Sequence, residues 1–329
     1  MNHRLRIRRA ASLLVTVCAG LCAPPAAFAE DAWPGRTITY VVPYPPGGTT
    51  DILGRTIAQR LGEALKTTVI VDNKAGATGT IGGAFVARAA PDGQTLLGTS
   101  IGPQAIAPHL MKLTYDPVKA YEPVSLIGTV PHVLVVKVSA PFTTVAQLVA
   151  TAKDKPGSVS FASGGTGTIL QMQGELLRLQ TKTTMIHVPY KGDVPALQDV
   201  IGGQATFMFA PIAAALPHIK SGRLRALAVT SAKRSASLPD VPTMGEAGFK
   251  DFVVEQWQAI YAPAETPAPI VQRLHDEVSR ILKDKDVVTS LEKVGVTVVD
   301  GAPAELARRQ AADSARWATV IREAGIKLD

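Results

Sequence analysis

Residues 40–61 read "YVVPYPPGGTTDILGRTIAQRL". A β-branched, apolar run breaks on Pro43, Pro45, Pro46, Gly47 and Gly48, then resumes with helical spacing, Ile52, Ile57, Leu61 and Leu65 falling along one face. This is a strand, a glycine turn and a helix, the opening of a parallel α/β unit. Such a turn aims backbone N–H groups and the positive end of the helix dipole at the crevice beyond the strand, which makes it an anion site. The pattern then recurs: 159–162 reads as a strand, "SGGTGT" at 163–168 as a second glycine turn, and 169–179 as a helix.

Neither turn has the form of a nucleotide loop. A Walker A loop needs Gly-Lys-Ser/Thr, and a dinucleotide loop needs three phased glycines with an acid about twenty residues on. "PPGGTTD" has neither feature, and Gly165-Thr166-Gly167 has no third glycine in phase and no lysine. Taken singly, each turn also fits a plain connection in which Thr49, Thr50 or Ser163 caps a helix. Two such turns facing each other across a cleft offer donors to opposite oxygens of one carboxylate. A few charge-assisted bonds of roughly 1.5–3 kcal/mol each suffice for micromolar affinity, about −8 kcal/mol.

Short β-branched runs alternate with helical patterns along the rest of the chain. Strands are expected at 37–44, 69–73, 95–100, within "VSLIGTVPHVLVVKV" (124–138), and at 185–190, 206–210, 224–230 and 296–300. Helices are expected at 49–66, from about 78, and at 144–155, 267–283 and 303–323. The strands from 159 onward read as a second sheet, with the Pro/Gly-rich stretch 237–249 as the return crossing. The resulting division is 30–130 with 250–329 as one domain and 131–249 as the other.

The chain opens with Arg4, Arg6, Arg8 and Arg9, a short run of small and apolar residues, and Ala27-Phe28-Ala29. These are the parts of a secretory signal peptide cleaved after Ala29, with an apolar run too short to span a membrane. Cys18 follows Val17 and Cys22 follows Leu21, so a lipid anchor is not indicated, and with both cysteines in the leader the mature chain has no disulfide or thiolate chemistry. Without the four leader arginines, 30 basic residues stand against 27 acids, a net charge of +3 instead of +7. The remaining cations are scattered among acids with few aromatics, which argues against nucleic acid as a partner.

The stretches "YPPGGTTDILGRTIAQRL", "VDNKAGATGTIGGAFVARAAPDGQTLLGT", "HVPYKGDVPALQDVIGGQATFMF" and "YAPAETPAPIVQRL" resemble the Bug family, the extracytoplasmic solute-binding proteins of tripartite tricarboxylate transporters. The resemblance runs in order over the whole mature chain. It implies an α/β, two-domain periplasmic-binding-protein fold (type II-like) with a small carboxylated solute in the interdomain cleft, no cofactor, a periplasmic monomer, and delivery to membrane permease subunits. One carboxylate of a di-, tri- or aromatic carboxylic acid is then held, partly through ordered water, by the turns that here are Pro46, Gly47, Gly48, Thr49 and Thr50 on one side and Ser163, Gly165, Thr166, Gly167 and Thr168 on the other. Many relatives carry an acid directly after "MF", where this chain has Ala210, which points away from an amino-acid ligand.

Two other readings share these residues. Gly98-Thr99-Ser100-Ile101-Gly102 matches the G-x-S-x-G nucleophile elbow and follows a strand, so Ser100 is a candidate for an exported serine hydrolase as well as a cleft-lining hydroxyl; Pro103 makes the required helix awkward, and His275 lies inside a helical pattern. A receptor of the same build also serves a sensor kinase. His109, His132, His187, His218 and His275 show neither i,i+4 pairing nor H-E-x-x-H, so no zinc site is expected. Tyr44 and Trp257 are candidates to stack on a ligand or to pack at strand ends, Lys191 to lend charge or stay in solvent, and Asp51 to favour the helix dipole.

Overall fold

The computed structural model describes residues 33–328; the expected leader and its cleavage after Ala29 lie outside them. The first unit is β1 (Ile38–Val42), α1 (Thr49–Leu65) and β2 (Val69–Asn73), followed by a tight turn at Ala77–Gly79, α2 (Thr80–Ala87) and β3 (Thr95–Ser100). β1 lies between β2 and β3, parallel to both. Helix α1 forms because Leu53, Ile57, Leu61 and Leu65 recur on one face and are buried; Leu53, not Ile52, takes the first core position. Gly54 lets that face sit on the sheet, since an added Cβ would stand 3.0 Å from both Tyr40 and Val42.

β4 (Tyr121–Lys137) is 17 residues long and almost wholly buried. After it come α3 (Val145–Asp154), β5 (Val159–Ser163), α4 (Ile169–Thr181), β6 (Met185–Pro189), α5 (Asp193–Gly202), β7 (Phe207–Pro211), α6 (Ile212–Lys220) and β8 (Leu224–Val229). The chain then returns as β9 (Glu255–Pro263), α7 (Ala268–Leu282), α8 (Lys285–Lys293), β10 (Thr297–Gly301) and α9 (Pro303–Ala324).

The expected second sheet is continuous with the first. In one ten-stranded sheet, eight strands run in the order β2-β1-β3-β9-β4-β7-β5-β6, and β8 and β10 are also paired to β4. β4 pairs with β9 from Tyr121 to Pro131 and with β7 from His132 to Val136, so it changes partner between Pro131 and His132. A proline has no N–H to give the ladder and suits such a switch. The sequence pattern predicts no strand at β9, because Glu255, Gln256 and Gln258 interrupt its apolar run just after the Pro/Gly-rich crossing.

Gly98 explains the G-x-S-x-G coincidence. An added Cβ at Gly98 would overlap the ring of Tyr40, itself 1% exposed, so the glycine is there for packing between β1 and β3. Gly98→Ala is expected to lower the urea midpoint with unchanged slope, by the roughly 1–3 kcal/mol typical of an overpacked core. A variant as stable as wild type would show that the ring has room to move.

Candidate functional site

The two glycine turns are braced in the same way. In the first, Gly47 has φ 87° and Gly48 is the N-cap of α1. The third helical residue, Asp51, reaches back to accept from the Gly47 N–H (2.9 Å). In the second, Gly167 has φ 81° and Thr168 is the N-cap of α4. Here the third helical residue is Gln171, whose Oε1 accepts from the Gly167 N–H (2.7 Å) while the Thr168 hydroxyl accepts from Gln171 N. This is a capping box displaced by one residue. Each brace consumes one N–H, and the next donors, Thr49, Thr50 and Asp51 in the first turn and Thr166, Ile169 and Leu170 in the second, have no partner among the described residues. Gly47 is thus a shaping residue whose own N–H is spent.

Register sets the ends of the two parallel strand sets toward one another. Ser100, at the end of β3, lies opposite Gln258 of β9, and Gln258 lies opposite Gly128 of β4. Pro211, at the end of β7, lies opposite His132 of β4. β1 runs with β3, and β5 runs with β7. The carboxyl ends of the two parallel sets therefore approach β4 from opposite directions and reach it within four residues, about 13 Å at 3.3 Å per residue. Crevices outside the carboxyl ends of strands are where open α/β sheets bind ligands.

Around the first turn Asp51 also accepts from Arg55 Nε (2.9 Å) and Asn73 Nδ2 (2.8 Å), and Asn73 Nδ2 donates to the Tyr44 carbonyl (3.1 Å). Burial pushes the Asp51 carboxyl up, and the hydrogen bonds from Arg55, Gly47 and Asn73 outweigh it, so the group stays ionised below its ordinary value. Beneath lie Tyr44 and Ser100, hydroxyl to hydroxyl at 2.8 Å, and Thr50, which donates to Gln258 Oε1 (2.9 Å). Burial pushes the Tyr44 hydroxyl up to about 12, so it remains a neutral donor and acceptor. Gln258 Nε2 has no partner among the described residues.

Around the second turn the Ser163 hydroxyl is fully buried and tied to His187 Nε2 (2.7 Å), the Gly165 carbonyl and the Gly165 N–H. Thr168 Oγ1 donates to the Gly165 carbonyl (2.8 Å). Thr166, half-buried, is the turn hydroxyl with no partner among the described residues. Ser163 is accordingly a brace for the turn.

Several expectations change on this geometry. Ser100 is 2% exposed and bonded to a phenol, no imidazole adjoins it, and the imidazole of His275 pairs instead with Ser125 (2.8 Å); the elbow reading fails. Trp257 is fully buried and donates to Asp313 of α9 (2.8 Å), so it packs and does not stack on a ligand. Ala210 is fully buried opposite Val133. Lys191 is exposed. Asp51 does more than favour a dipole. Asn73, Arg55 and Gln258 carry no signal in the sequence and His187 is legible there only as a histidine outside any zinc pattern, whereas Thr168-x-x-Gln171 is a spacing that announces its role. No group of acids and histidines among the described residues forms a metal cluster, and none of their helices is long and apolar enough to cross a membrane.

A mixed α/β sheet whose two sets of parallel strands meet head to head, each ending in a helix N-terminus with free donors, defines a solute-binding protein of the periplasmic-binding type. Residues 53–326 match the sequence model of the tripartite tricarboxylate transporter family receptor, and the chain belongs to that family. Protein BugT of Bordetella pertussis is 39% identical over 312 residues, covering 94% of this chain and 95% of BugT. A structure from R. palustris with adipate is 35% identical with a TM-score of 0.77, over 90% of this chain and 99% of that one. MatC from Rhodopseudomonas palustris with bound malate is 34% identical with a TM-score of 0.74, over 88% and 99%. The family is one of solute receptors, and enzymatic activity is not its business.

Burial holds two histidines of this region neutral, pushing His132 down to about 3 and His187 to about 4. An unfolded histidine titrates near 6.5, so protons favour the unfolded chain. This share of stability is complete above about pH 6.5 and is lost as the pH falls toward 4 and then 3. The urea midpoint is expected to drop across that window, and His187→Gln, which can still meet Ser163, should flatten part of the slope. A wild-type slope in that variant would mean that the ring is not shielded.

Proposed function

We propose that this protein captures a small carboxylate between turns 46–50 and 163–168 and presents it to the membrane subunits of a tripartite tricarboxylate-type transporter. The described residues of 30–130 and 250–329 form one lobe, 131–249 the other, and the two swing about the paired crossings at 131–132 and 230–254. The observation that carries this is the head-to-head pair of braced helix N-termini: unspent N–H donors on both sides suit an anion that neither side satisfies alone. At the crossings Thr230 N donates to the His132 carbonyl (2.9 Å) and Val254 N to the Thr230 carbonyl (3.0 Å), so the two chain segments are tied where they pass between lobes. Adipate and malate in the related structures support a carboxylate ligand. Ala210 brings no acid to the end of β7, which supports a solute without an ammonium group.

A thermal-shift screen of malate, adipate, citrate and benzoate is the first test, since a ligand at 100 times its dissociation constant stabilises by about 2.7 kcal/mol. Gly48 has φ −78° and an added Cβ would meet only the Pro45 carbonyl oxygen at 3.9 Å, so Gly48→Val should fold normally. Its side chain would stand where the carboxylate approaches the first turn, and binding should be lost. Solution scattering should show a smaller radius of gyration on loading. Tight binding with no change of shape, unaffected by Gly48→Val and by Ser163→Ala with Thr166→Ala, would place the site elsewhere.

A further inference from the structure

A third connection at the same strand edge takes no part in the clamp described above. After β2 the chain passes through Gly76, Ala77, Thr78 and Gly79 with φ of 129°, 45°, 55° and 88°, four positive values in succession. Glycine adopts such values freely, alanine at a steric cost, and threonine, branched at Cβ, is poorly suited to them. Strain of this kind persists only where the surroundings over-determine the backbone, and it concentrates at ligand clamps and switch regions.

Both ends of the segment are fastened to the first turn. Asn73, just before it, donates to the Tyr44 carbonyl and to Asp51. At the other end Gly79 is pressed between two prolines: an added Cβ would stand 2.6 Å from Pro103 Cγ and 3.4 Å from the Pro43 carbonyl oxygen. Pro43 precedes Tyr44, and Pro103 follows Gly102, where an added Cβ would lie 3.4 Å from the Tyr44 hydroxyl. The segment therefore stands beside the Tyr44–Ser100 pair. Within it, Gly79 N donates to the Gly76 carbonyl (2.9 Å) and Thr80 Oγ1 to the Ala77 carbonyl (2.8 Å). The N–H groups of Ala77 and Thr78 and the Thr78 hydroxyl have no partner among the described residues, and Thr78 is half-exposed. The corresponding connection after β6 has positive φ only at Gly192, so the strain is confined to one side.

We propose that the strained turn 76–79 is a third wall of the solute site and that Thr78 determines specificity, offering its hydroxyl and the adjoining N–H groups to an acceptor at the far end of the solute, the end not held by turns 46–50 and 163–168. This rests on the carboxylate reading. It also gives the solute a direction, with its second acceptor toward β2, and it favours a dicarboxylate over the monocarboxylate of equal length.

The test compares wild type with Thr78→Gly, Thr78→Ala and Thr78→Ser, using adipate, hexanoate and malate as probes and Gly48→Val as a control. Thr78→Gly relieves the strain and should raise the unfolding temperature of the free protein by roughly 1–3 °C. It should also weaken adipate or malate about ten-fold and leave hexanoate unchanged. Thr78→Ala should weaken the diacids without the thermal gain, and Thr78→Ser should restore wild-type affinity. A Thr78→Gly protein that is more stable yet binds both diacids as wild type does would overturn the proposal, as would one with no thermal gain. No response of wild type to any of the three acids, or indifference to Gly48→Val, overturns the underlying carboxylate reading instead.

Discussion

β4 has to serve two sets of parallel strands that run toward each other. Its first part is a partner for β9 and β10, its last part for β7 and β8, and the exchange falls within the space of Pro131 and His132. Everything else about the site follows from that exchange, because it sets both carboxyl edges against one short length of chain. It also brings polar groups into the core. The His132 N–H donates to the Thr230 hydroxyl and its carbonyl accepts from the Thr230 N–H, its Nδ1 meets Gln173 Nε2 of α4 at 3.0 Å, and its Nε2 has no partner among the described residues. A fully buried imidazole at this point is affordable only as the neutral form, which is the form burial enforces.

The turns solve a second problem, that of presenting bare helix N-termini without disordering them. A cap that satisfied every N–H would leave nothing for an anion, and no cap at all would leave the first turn of helix unsupported. In both turns the third helical side chain takes the N–H of the residue before the N-cap and no more. The two braces differ in charge. Asp51 brings a negative charge into an anion site, and it is neutralised by Arg55 at 2.9 Å, whose own side chain is half in solvent. Gln171 is neutral and needs no counterion.

The units that carry the turns were legible in the sequence because their signals are local. Strand, glycines and amphipathic helix follow one another within about twenty residues, and the predicted limits of α1, β2 and β3 fall within one residue of those observed. β9 was not legible, since its buried glutamine, Gln258, is satisfied by a long-range partner that no window contains, Thr50, 208 residues away. The same holds for Asn73 and His187, whose roles exist only once β2 stands beside β1 and β6 beside β5. Ser100 and Gly98 show the opposite hazard. A motif made of common small residues was satisfied by packing against Tyr40 and Tyr44, a demand that the one-dimensional pattern does not distinguish from catalysis.

The two turns share a backbone and little else. Gly-Gly-Thr-Thr-Asp in one and Gly-Thr-Ile-Leu-Gln in the other reach the same placement of a positive-φ glycine, an N-cap and a reaching third residue, and both helices end on a left-handed lysine, Lys66 and Lys182. Side-chain identity is therefore a loose variable at these anchors, and main-chain geometry a tight one. Point substitutions that keep the glycine and a side-chain acceptor at the third position leave the anchoring donors where they are. Drift in the surrounding walls can then retune what is selected without dismantling how it is gripped, so the scaffold separates the heritable part of recognition from the changeable part.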